Sequence, residues 1–256
     1  MRPCWARDGD PLTTLAQWYR TPLGRRVADA ESACLEQLLE DSFGYYLLQI
    51  GLPERFRGAM SGCRIRHRVV LSTTAVTAAR PEARIQGAPS RLPIASDSVD
   101  ALLLPHTLDF AADAQQVLRE AERVLIPEGR VLILGFNPIS AWGLWRAIPR
   151  RRQRVPWCGE ILTPFRVCDW LTLIGFQIER RQTLMHRLPL RGRYLTRLDW
   201  LDQLGARWWP ALGGIYAIRA VKRVSTVTPV RPRWTRRPTI LPGRGLEPTA
   251  RGSSDG

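Results

Sequence analysis

Residues 84–138 decide the fold, and they read RIQGAPSRLPIASDSVDALLLPHTLDFAADAQQVLREAERVLIPEGRVLILGFNP. Two apolar runs, Val99–Leu104 and Val131–Phe136, flank a helical pattern from about Asp109 to Leu125 and a turn at Pro127–Gly129. A strand, a helix and a second strand at this spacing predict a βαβ unit, whose strands are parallel because the helix crosses over between them. Both runs are almost continuously apolar, which indicates strands that are covered on both faces.

The helical segment between the two runs has one apolar face, because its apolar residues recur at three- and four-residue spacing. These residues are Phe110, Ala114, Val117, Leu118, Ala121, Val124 and Leu125. Asp113, with Gln116 three residues later, is a candidate N-cap, and Asp109 is an equally good one. Pro127 and Gly129 end the helix.

The same kinds of pattern continue on both sides of this unit. Strands are predicted at Tyr45–Ile50, Ile65–Leu71, around Ile85, at Phe176–Leu184 and at Ile215–Val221. Helices are predicted at Gly24–Glu40, in the Trp-rich segment after Pro138, and at Thr163–Ile174, where Thr163 is the N-cap and Pro164 the first helical residue. Strands that alternate with helices predict a doubly wound, Rossmann-like α/β fold.

Composition bounds the domain organisation. The chain has 256 residues with 45% hydrophobic content, which is enough for one large domain with one sizeable core. We predict that domain at residues 1–223, followed at 224–256 by a disordered basic tail rich in Pro and Arg. The net charge of +15 predicts attraction to a polyanion or an anionic surface and does not say which one.

Several classes of protein have little support. No run approaches 18 apolar residues, and the start MRPCWARDGD lacks the apolar core of a signal peptide, so neither a transmembrane helix nor secretion is expected. The five cysteines are widely spaced and form no CxxC pair, which gives no support to a zinc site or a disulfide framework. We therefore expect reduced thiols in a cytoplasmic protein that holds no metal.

Three segments carry a family resemblance: GAPSRLPIASDSVDALLLPHTL, LREAERVLIPEGRVLILGFNP and the closing GGIYAIRAVKR. Together they resemble class I S-adenosylmethionine-dependent methyltransferases of the type-11 group, over roughly residues 12–223, and FNPISAWGLWR is similar to a bacterial branch of that group. The resemblance implies a seven-stranded, mostly parallel sheet with helices on both faces and an antiparallel hairpin from the last two strands. It also implies S-adenosylmethionine as the cofactor and methyl transfer as the reaction.

The chain departs from that family where the cofactor is held. The family has an acidic residue two positions before its first glycine, whereas this chain has Gln49 before Gly51. No Asp or Glu lies between Glu54 and Glu82, where the family has an acid for the ribose hydroxyls, and Ser72 is the nearest polar substitute. Ala88 stands where the family commonly has Asp beside the adenine. The resemblance still assigns Gln49, Gly51, Ser72, Ala88 and His106 to the cofactor site.

His106 follows the fourth predicted strand, at the mouth of the expected site, and is the candidate catalytic residue. A histidine there would orient or deprotonate the methyl acceptor; the alternative is a structural histidine that bonds loop backbone. Asn137 is a turn residue or a substrate contact. Trp142 and Trp145 form either a lid that excludes water or part of the core.

Two functions of different classes remain open. The first is a cytoplasmic methyltransferase whose acceptor is a quinone, a lipid-like molecule, another metabolite or RNA. The second is a catalytically silent methyltransferase-like module that binds RNA or an anionic surface through its basic face and tail. The missing acids favour the second function, and the well-kept central segments favour the first.

Overall fold

The computed structural model describes residues 11–52, 55–73, 83–146, 155–186, 205 and 207–224. The compact unit that contains them ends at Val224. Except for Val224, the predicted basic tail lies outside the described residues, and its disorder stays a prediction.

A seven-stranded sheet forms the centre of the molecule, with the strand order β3-β2-β1-β4-β5-β7-β6. The first five strands run parallel, and β7 pairs antiparallel with both β5 and β6. The strands are β1 Phe43–Ile50, β2 Arg64–Ser72, β3 Ala83–Gln86, β4 Val99–Pro105, β5 Leu125–Phe136, β6 Phe176–Leu184 and β7 Ile215–Lys222. The predicted fold class, a doubly wound and mostly parallel sheet, is confirmed.

Consecutive residues of the buried strands point to opposite sides of the sheet, so both sides carry apolar side chains, and helices cover both. The described helices are α1 Pro11–Trp18, α2 Pro22–Leu39, α3 Thr107–Phe110, α4 Ala114–Val124, α5 Ala141–Arg146 and α6 Pro164–Leu173. One core packs α1, α2 and α5 against residues such as Leu47 and Leu103. The other core packs α4 and α6 against residues such as Leu48 and Leu102.

Two local predictions differ from the structure. The predicted helix at 109–125 is divided into α3 and α4, and Asp113 caps α4 by accepting a hydrogen bond from the Gln116 amide. The predicted turn at Pro127–Gly129 lies inside β5, because both flanks of the turn pair with β4 across a register shift. Glu128, one of the additional residues of β5 at this shift, has a left-handed backbone with a φ of 65°.

The cysteines differ in part from the expectation. Cys34, Cys63 and Cys168 are free thiols, whereas Cys158 is disulfide-bonded, so the expectation of reduced thiols is wrong for Cys158. Among the described helices, none combines the length and the apolar character that crossing a bilayer needs.

Lys222, the last residue of β7, joins the sheet to helix α4. The ammonium group donates to the carbonyl oxygens of Glu122 and Leu125 at 2.8 and 2.9 Å, and it lies 2.8 Å from an Asp97 carboxylate oxygen. The side chain is 8% exposed. Arg223 beside it pairs with Glu128 on the surface, where both side chains are more than half exposed.

We expect Lys222→Met to lower the free energy of unfolding by about 2 kcal/mol, because two backbone carbonyls would lose a charged donor. Arg223→Met should cost much less, because exposed ion pairs contribute little. Urea denaturation of both variants measures the difference. Equal losses would contradict the buried role of Lys222.

Candidate functional site

A cavity of about 450 Å³ lies at the carboxyl ends of β1 and β2. Pockets that bind small molecules span roughly 300–1,000 Å³, and open α/β sheets bind ligands beyond the carboxyl ends of their strands. The cavity is lined by Leu12, Thr13, Ala16, Tyr19, Arg20, Arg25, Gly51, Leu52, Arg55, Ser72 and Thr73. Of the predicted cofactor residues, Gly51 and Ser72 therefore come together here.

The corner between α1 and α2 forms one wall of this cavity. Thr21 caps α2, since its hydroxyl accepts from the Gly24 amide at 3.1 Å and donates to the Trp18 carbonyl at 2.8 Å. A Cβ on Gly24 would lie 2.2 Å from that same carbonyl, so only glycine allows the two helices to approach so closely. This packing directs Tyr19 inward, and its side chain is 2% exposed.

Gly51 forms the floor of the cavity where β1 ends. Its φ is +72°, and a Cβ there would lie 2.5 Å from the Leu12 Cδ1 atom of α1. The left-handed backbone favours glycine at this position, and a Cβ would also displace the end of the Leu12 side chain. Gly51 thus allows the backbone to approach closely whatever fills the cavity.

Gln49 explains how the chain keeps this turn without the family's acidic residue. Its amide nitrogen donates to the carbonyl oxygens of Gly51 and Leu52, both at 2.8 Å. A carboxylate could not replace it, because an ionised carboxylate only accepts hydrogen bonds. Gln49 is fully buried beneath the turn and does not line the cavity.

Ser72 and Ala88 have different positions relative to the cavity. Ser72 ends β2 and lines it together with Thr73. Ala88 is exposed in the loop after β3, where it forms an isolated bridge with Arg91, and it is not part of the lining. The predicted roles of Gln49 and Ala88 in cofactor binding stay predictions.

A buried chain of hydrogen bonds runs behind the cavity wall. Tyr19 Oη donates to Glu31 Oε2 at 2.7 Å, and Glu31 Oε1 lies 2.8 Å from His106 Nε2. His106 Nδ1 lies 2.9 Å from Asp109 Oδ2, which also accepts from the Phe136 amide at 3.0 Å. The side chains of Glu31, His106 and Asp109 are fully buried. We call these four residues, Tyr19, Glu31, His106 and Asp109, the buried relay.

The charge of the relay follows from its geometry. Burial lowers the pKa of His106, but the charge of Glu31 and the hydrogen bonds that the ring donates to Asp109 and Glu31 outweigh it and raise this pKa to about 9. Burial raises the pKa of Asp109, against the hydrogen bond and charge of His106. At neutral pH the ring is therefore protonated and donates from both nitrogens. Burial and then Glu31 raise the pKa of Tyr19 well above its ordinary value, so this hydroxyl stays neutral.

These contacts leave His106 no free ring nitrogen. The ring is 0% exposed and stacks on Phe136 with centroids 4.1 Å apart, and the backbone φ of 55° turns the chain at the end of β4. A general base needs hydrogen-bond reach to the group that loses its proton. The arrangement favours a positioning role, while the predicted catalytic and cofactor contacts of His106 stay predictions.

Sequence analysis did not identify Tyr19 or Glu31. Glu31 carried a detectable signal, because it lies among Val27, Ala28 and Leu35 on the apolar face of α2. A carboxylate on such a face needs a buried partner. Tyr19 carried no comparable signal, since its burial depends on the corner between α1 and α2.

Asn137 and the two tryptophans lie at the end of β5. Asn137 is 1% exposed; its amide donates to the carbonyls of Ala211 and Gly213, and its side-chain oxygen accepts from the Ile139 amide. Trp142 is a buried core residue that stacks on Phe136 and packs against Trp157 with the two rings tilted by 43°. Trp145 is partly buried against the same core. The substrate and lid roles predicted for Asn137, Trp142 and Trp145 stay predictions.

The cavity suits a nucleoside in place and size. Its wall combines the apolar Leu12 and Ala16 with the hydroxyl groups of Thr13 and Ser72, and Gly51 exposes backbone at the floor. Its charged lining consists of three arginines, and no acidic residue belongs to the lining within the described part of the chain. The described lining thus fits the neutral nucleoside of a sulfonium cofactor, and its arginines fit the carboxylate of the methionine part of that cofactor.

Comparison with known proteins agrees with this geometry. Residues 59–133 match the family model of the type-11 methyltransferase domain. The uncharacterized protein YafS of Escherichia coli is 33% identical over 224 residues, which cover 85% of this chain and 86% of YafS. A demethylmenaquinone methyltransferase of Mycobacterium tuberculosis is 30% identical over 166 residues, which cover 60% of this chain and 63% of that enzyme.

A solved structure gives the same result for the fold. A methyltransferase of Thermotoga maritima, described as a possible histamine N-methyltransferase, superposes with a TM-score of 0.60 at 17% identity, over 86% of this chain and 98% of that chain. The strand order and the position of the cavity are those expected for such enzymes. The chain therefore belongs to one family with YafS, has the fold of S-adenosylmethionine-dependent methyltransferases, and matches the type-11 methyltransferase domain over residues 59–133.

Proposed function

We propose that this protein transfers a methyl group from S-adenosylmethionine to a small-molecule acceptor. The observation that carries the proposal is the cavity at the ends of β1 and β2, with the left-handed Gly51 as its floor. The family and the fold imply this cofactor, which supplies a methyl group already activated on a sulfonium. The protein itself has to bind the cofactor, align the acceptor with the methyl group and exclude water.

Different parts of the lining perform these tasks. The backbone at Gly51 and Leu52 and the hydroxyl of Ser72 would hold the nucleoside. Leu12 and Ala16 of α1 would shield the site from water on one side. The buried relay would fix the wall, because it ties Tyr19 to the end of β4 through His106 and to the end of β5 through the Phe136 amide.

The acceptor class draws support from one relative and from the wall of the cavity. The mycobacterial relative is described as a demethylmenaquinone methyltransferase, which acts on a quinone. Leu12, Ala16 and Leu52 give this cavity an apolar side that suits a quinone or lipid-like molecule. We place the reaction in the cytoplasm.

The first prediction concerns the cofactor. In calorimetric titrations the wild type should bind S-adenosylmethionine and its demethylated product at millimolar ligand or below. Gly51→Trp should abolish this binding, because its side chain would meet Leu12 and fill the cavity. Gly58→Trp is the matched control, since a Cβ at Gly58 meets nothing within 4 Å. Absence of binding by the wild type would refute the proposal.

The second prediction concerns the charge of the relay. His106 has a pKa of about 9 in the folded protein, above its ordinary value of 6.5. The protonated ring therefore contributes its full stabilisation of the fold below pH 6.5. This stabilisation, on the order of 3 kcal/mol, is lost as the pH rises from 6.5 to 9. Chemical denaturation across that range measures the loss.

Two variants separate His106 from other groups in that experiment. Glu31→Gln removes the charge that raises the pKa of His106, so the loss should move to lower pH. His67→Gln removes an exposed imidazole and should leave the wild-type curve unchanged. A curve that stays the same in Glu31→Gln would show that His106 is not the titrating group.

One surface favours a second candidate function, a catalytically silent module that binds RNA. Phe43 and Tyr45 at the start of β1 are 72% and 66% exposed and point to the same side of the sheet. In β2, Arg64 pairs with Phe43 and points to that side as well. Exposed aromatic rings beside arginines bind single-stranded nucleic acid by stacking on its bases.

This alternative predicts that single-stranded RNA shifts the mobility of the wild type at low salt. Tyr45→Ser should weaken that binding by about 5- to 150-fold, because stacking contributes about 1–3 kcal/mol per base. Leu173→Ser is the control, since Leu173 is 78% exposed on α6. No shift, or equal shifts in both variants, would exclude this surface as an RNA site.

A further inference from the structure

Two segments at the carboxyl edge of the sheet expose large apolar side chains. Residues 137–146 follow β5, and residues 207–214 precede β7, which pairs antiparallel with β5 so that Ile215 lies opposite Phe136. The exposed side chains are Ile139 at 53%, Leu144 at 76%, Trp208 at 68%, Trp209 at 61% and Leu212 at 44%. We call these five residues the apolar patch.

Hydrogen bonds from Asn137 hold the two segments side by side. Its side-chain amide donates to the carbonyls of Ala211 and Gly213, both at 2.9 Å, and its backbone amide donates to the Gly214 carbonyl at 2.9 Å. A Cβ on Gly214 would lie 2.4 Å from Cδ1 of Trp142, so the start of β7 and helix α5 pack tightly. Trp142 takes the core position there, and the apolar patch stays outside.

The two tryptophans of the apolar patch are consecutive in the chain, and Leu212 is held close to them. The Leu212 amide donates to the Trp209 carbonyl at 2.9 Å across a short 3-10 turn. Single exposed apolar residues are ordinary, whereas a group of them marks a surface that binds a partner. Tryptophan combines an apolar body with a polar N–H, which favours it where a bilayer meets water.

The charge beside the apolar patch is positive. Arg207 directly precedes the tryptophans, is exposed, and forms no ion pair with another described residue. Arg146 ends α5, and the sequence continues through residues 147–154 with four more arginines and no acidic residue. The segments 137–146 and 207–214 contain no acidic residue either. A partner of this surface therefore has to offer negative charge next to an apolar interior.

This combination favours a lipid bilayer over other partners. A second copy of the chain would bring the arginines of both copies together, which repulsion between like charges opposes. RNA would gain from the tryptophans alone, since Ile139, Leu144 and Leu212 are aliphatic and do not stack on bases. An anionic bilayer suits all of these groups, because its headgroups attract arginines and its acyl boundary takes up aliphatic and indole side chains.

We propose that the apolar patch docks on the surface of an anionic lipid bilayer, with Trp208, Trp209 and Leu212 inserted among the headgroups. The cavity lies at the same edge of the sheet, because β1, β2 and β5 all run parallel. A bilayer at that edge would present a lipid-like acceptor on the side where the cavity lies. This consequence rests on the proposed methyl transfer, whereas the docking itself does not.

The test measures how the intact protein co-sediments with vesicles of phosphatidylglycerol and phosphatidylcholine in equal parts, and with vesicles of phosphatidylcholine alone. The anionic vesicles should bind it more tightly, and high salt should remove most of that difference. Trp208→Ser with Trp209→Ser should weaken binding by about 10- to 100-fold, because both side chains would lose apolar contact with the bilayer. Arg207→Gln should weaken binding to the anionic vesicles by about 5-fold.

Phe43→Ser with Tyr45→Ser is the matched control. These aromatic side chains are 72% and 66% exposed, close to the values for the two tryptophans, and they lie at the start of β1, at the opposite edge of the sheet. The control variant should bind vesicles as the wild type does. Residues 225–256 are present in every variant, so any contribution of their charge is the same in all of them.

A second measurement, on the wild type, reports whether tryptophan enters the bilayer. Lipids that are brominated on their acyl chains quench tryptophan fluorescence at short range only. Anionic vesicles that contain such lipids should quench the wild type, and the tryptophan double variant should be quenched less. Equal midpoints in urea denaturation show that the variants keep the fold.

Vesicle binding that the tryptophan double variant loses and the control variant retains would support the inference. Absence of binding to anionic vesicles, equal binding by the two double variants, or binding without quenching would refute it. A tryptophan double variant that loses RNA binding or a dimer, with vesicle binding unchanged, would assign the patch to that partner and refute the bilayer. Failure of the cofactor titration would refute methyl transfer and leave the docking standing.

Discussion

The structure depends on a positively charged imidazole enclosed by two carboxylates, with no access to water. Glu31 belongs to α2, His106 follows β4, and Asp109 belongs to α3, so the three charges join separate parts of the chain. Removing one partner of such a buried group leaves another charge uncompensated, which typically costs about 3–5 kcal/mol. The relay therefore fixes how α2 lies on the sheet, and α2 in turn places the corner that closes the cavity.

This constraint explains why the cavity persists although the family's acidic residues are missing. The turn after β1 is stabilised by the Gln49 amide, and the wall is stabilised by Tyr19 from behind. Gln49 does not line the cavity, whereas Tyr19 does. The chain thus shapes the floor of the cavity with a side chain that does not contact the contents of the cavity.

Much of the fold was predictable, because it depends on local patterns. The spacing of apolar residues placed α2, α4, α6 and the strands to within a few residues, and the cap at Thr163 was predicted correctly. The turn at Pro127–Gly129 lies within β5 and not before it, because Leu125 and Arg130 on its two sides both pair with β4. Sheet pairing between distant segments is not visible in a single pattern.

The site was predictable only in part. Gly51 and Ser72 were found because a resemblance places them at strand ends, and both line the cavity. Tyr19, Glu31, Arg20, Arg25 and Arg55 were missed, because their meeting depends on how α1 and α2 fold back onto the sheet. The hydrogen-bond partners of the His106 ring nitrogens could not be identified from the sequence either, since they lie 75 residues before His106 and three residues after it.

The position of β7 also bears on how the molecule assembles. This strand lies between β5 and β6, although it follows both of them in the chain. During synthesis β6 emerges from the ribosome before it has a neighbour to pair with, and its edge must wait until residues 215–222 arrive. Domains fold as units once their chain is complete, and pairing of distant strands is slow. We therefore expect the sheet to close only after nearly the whole domain has been translated.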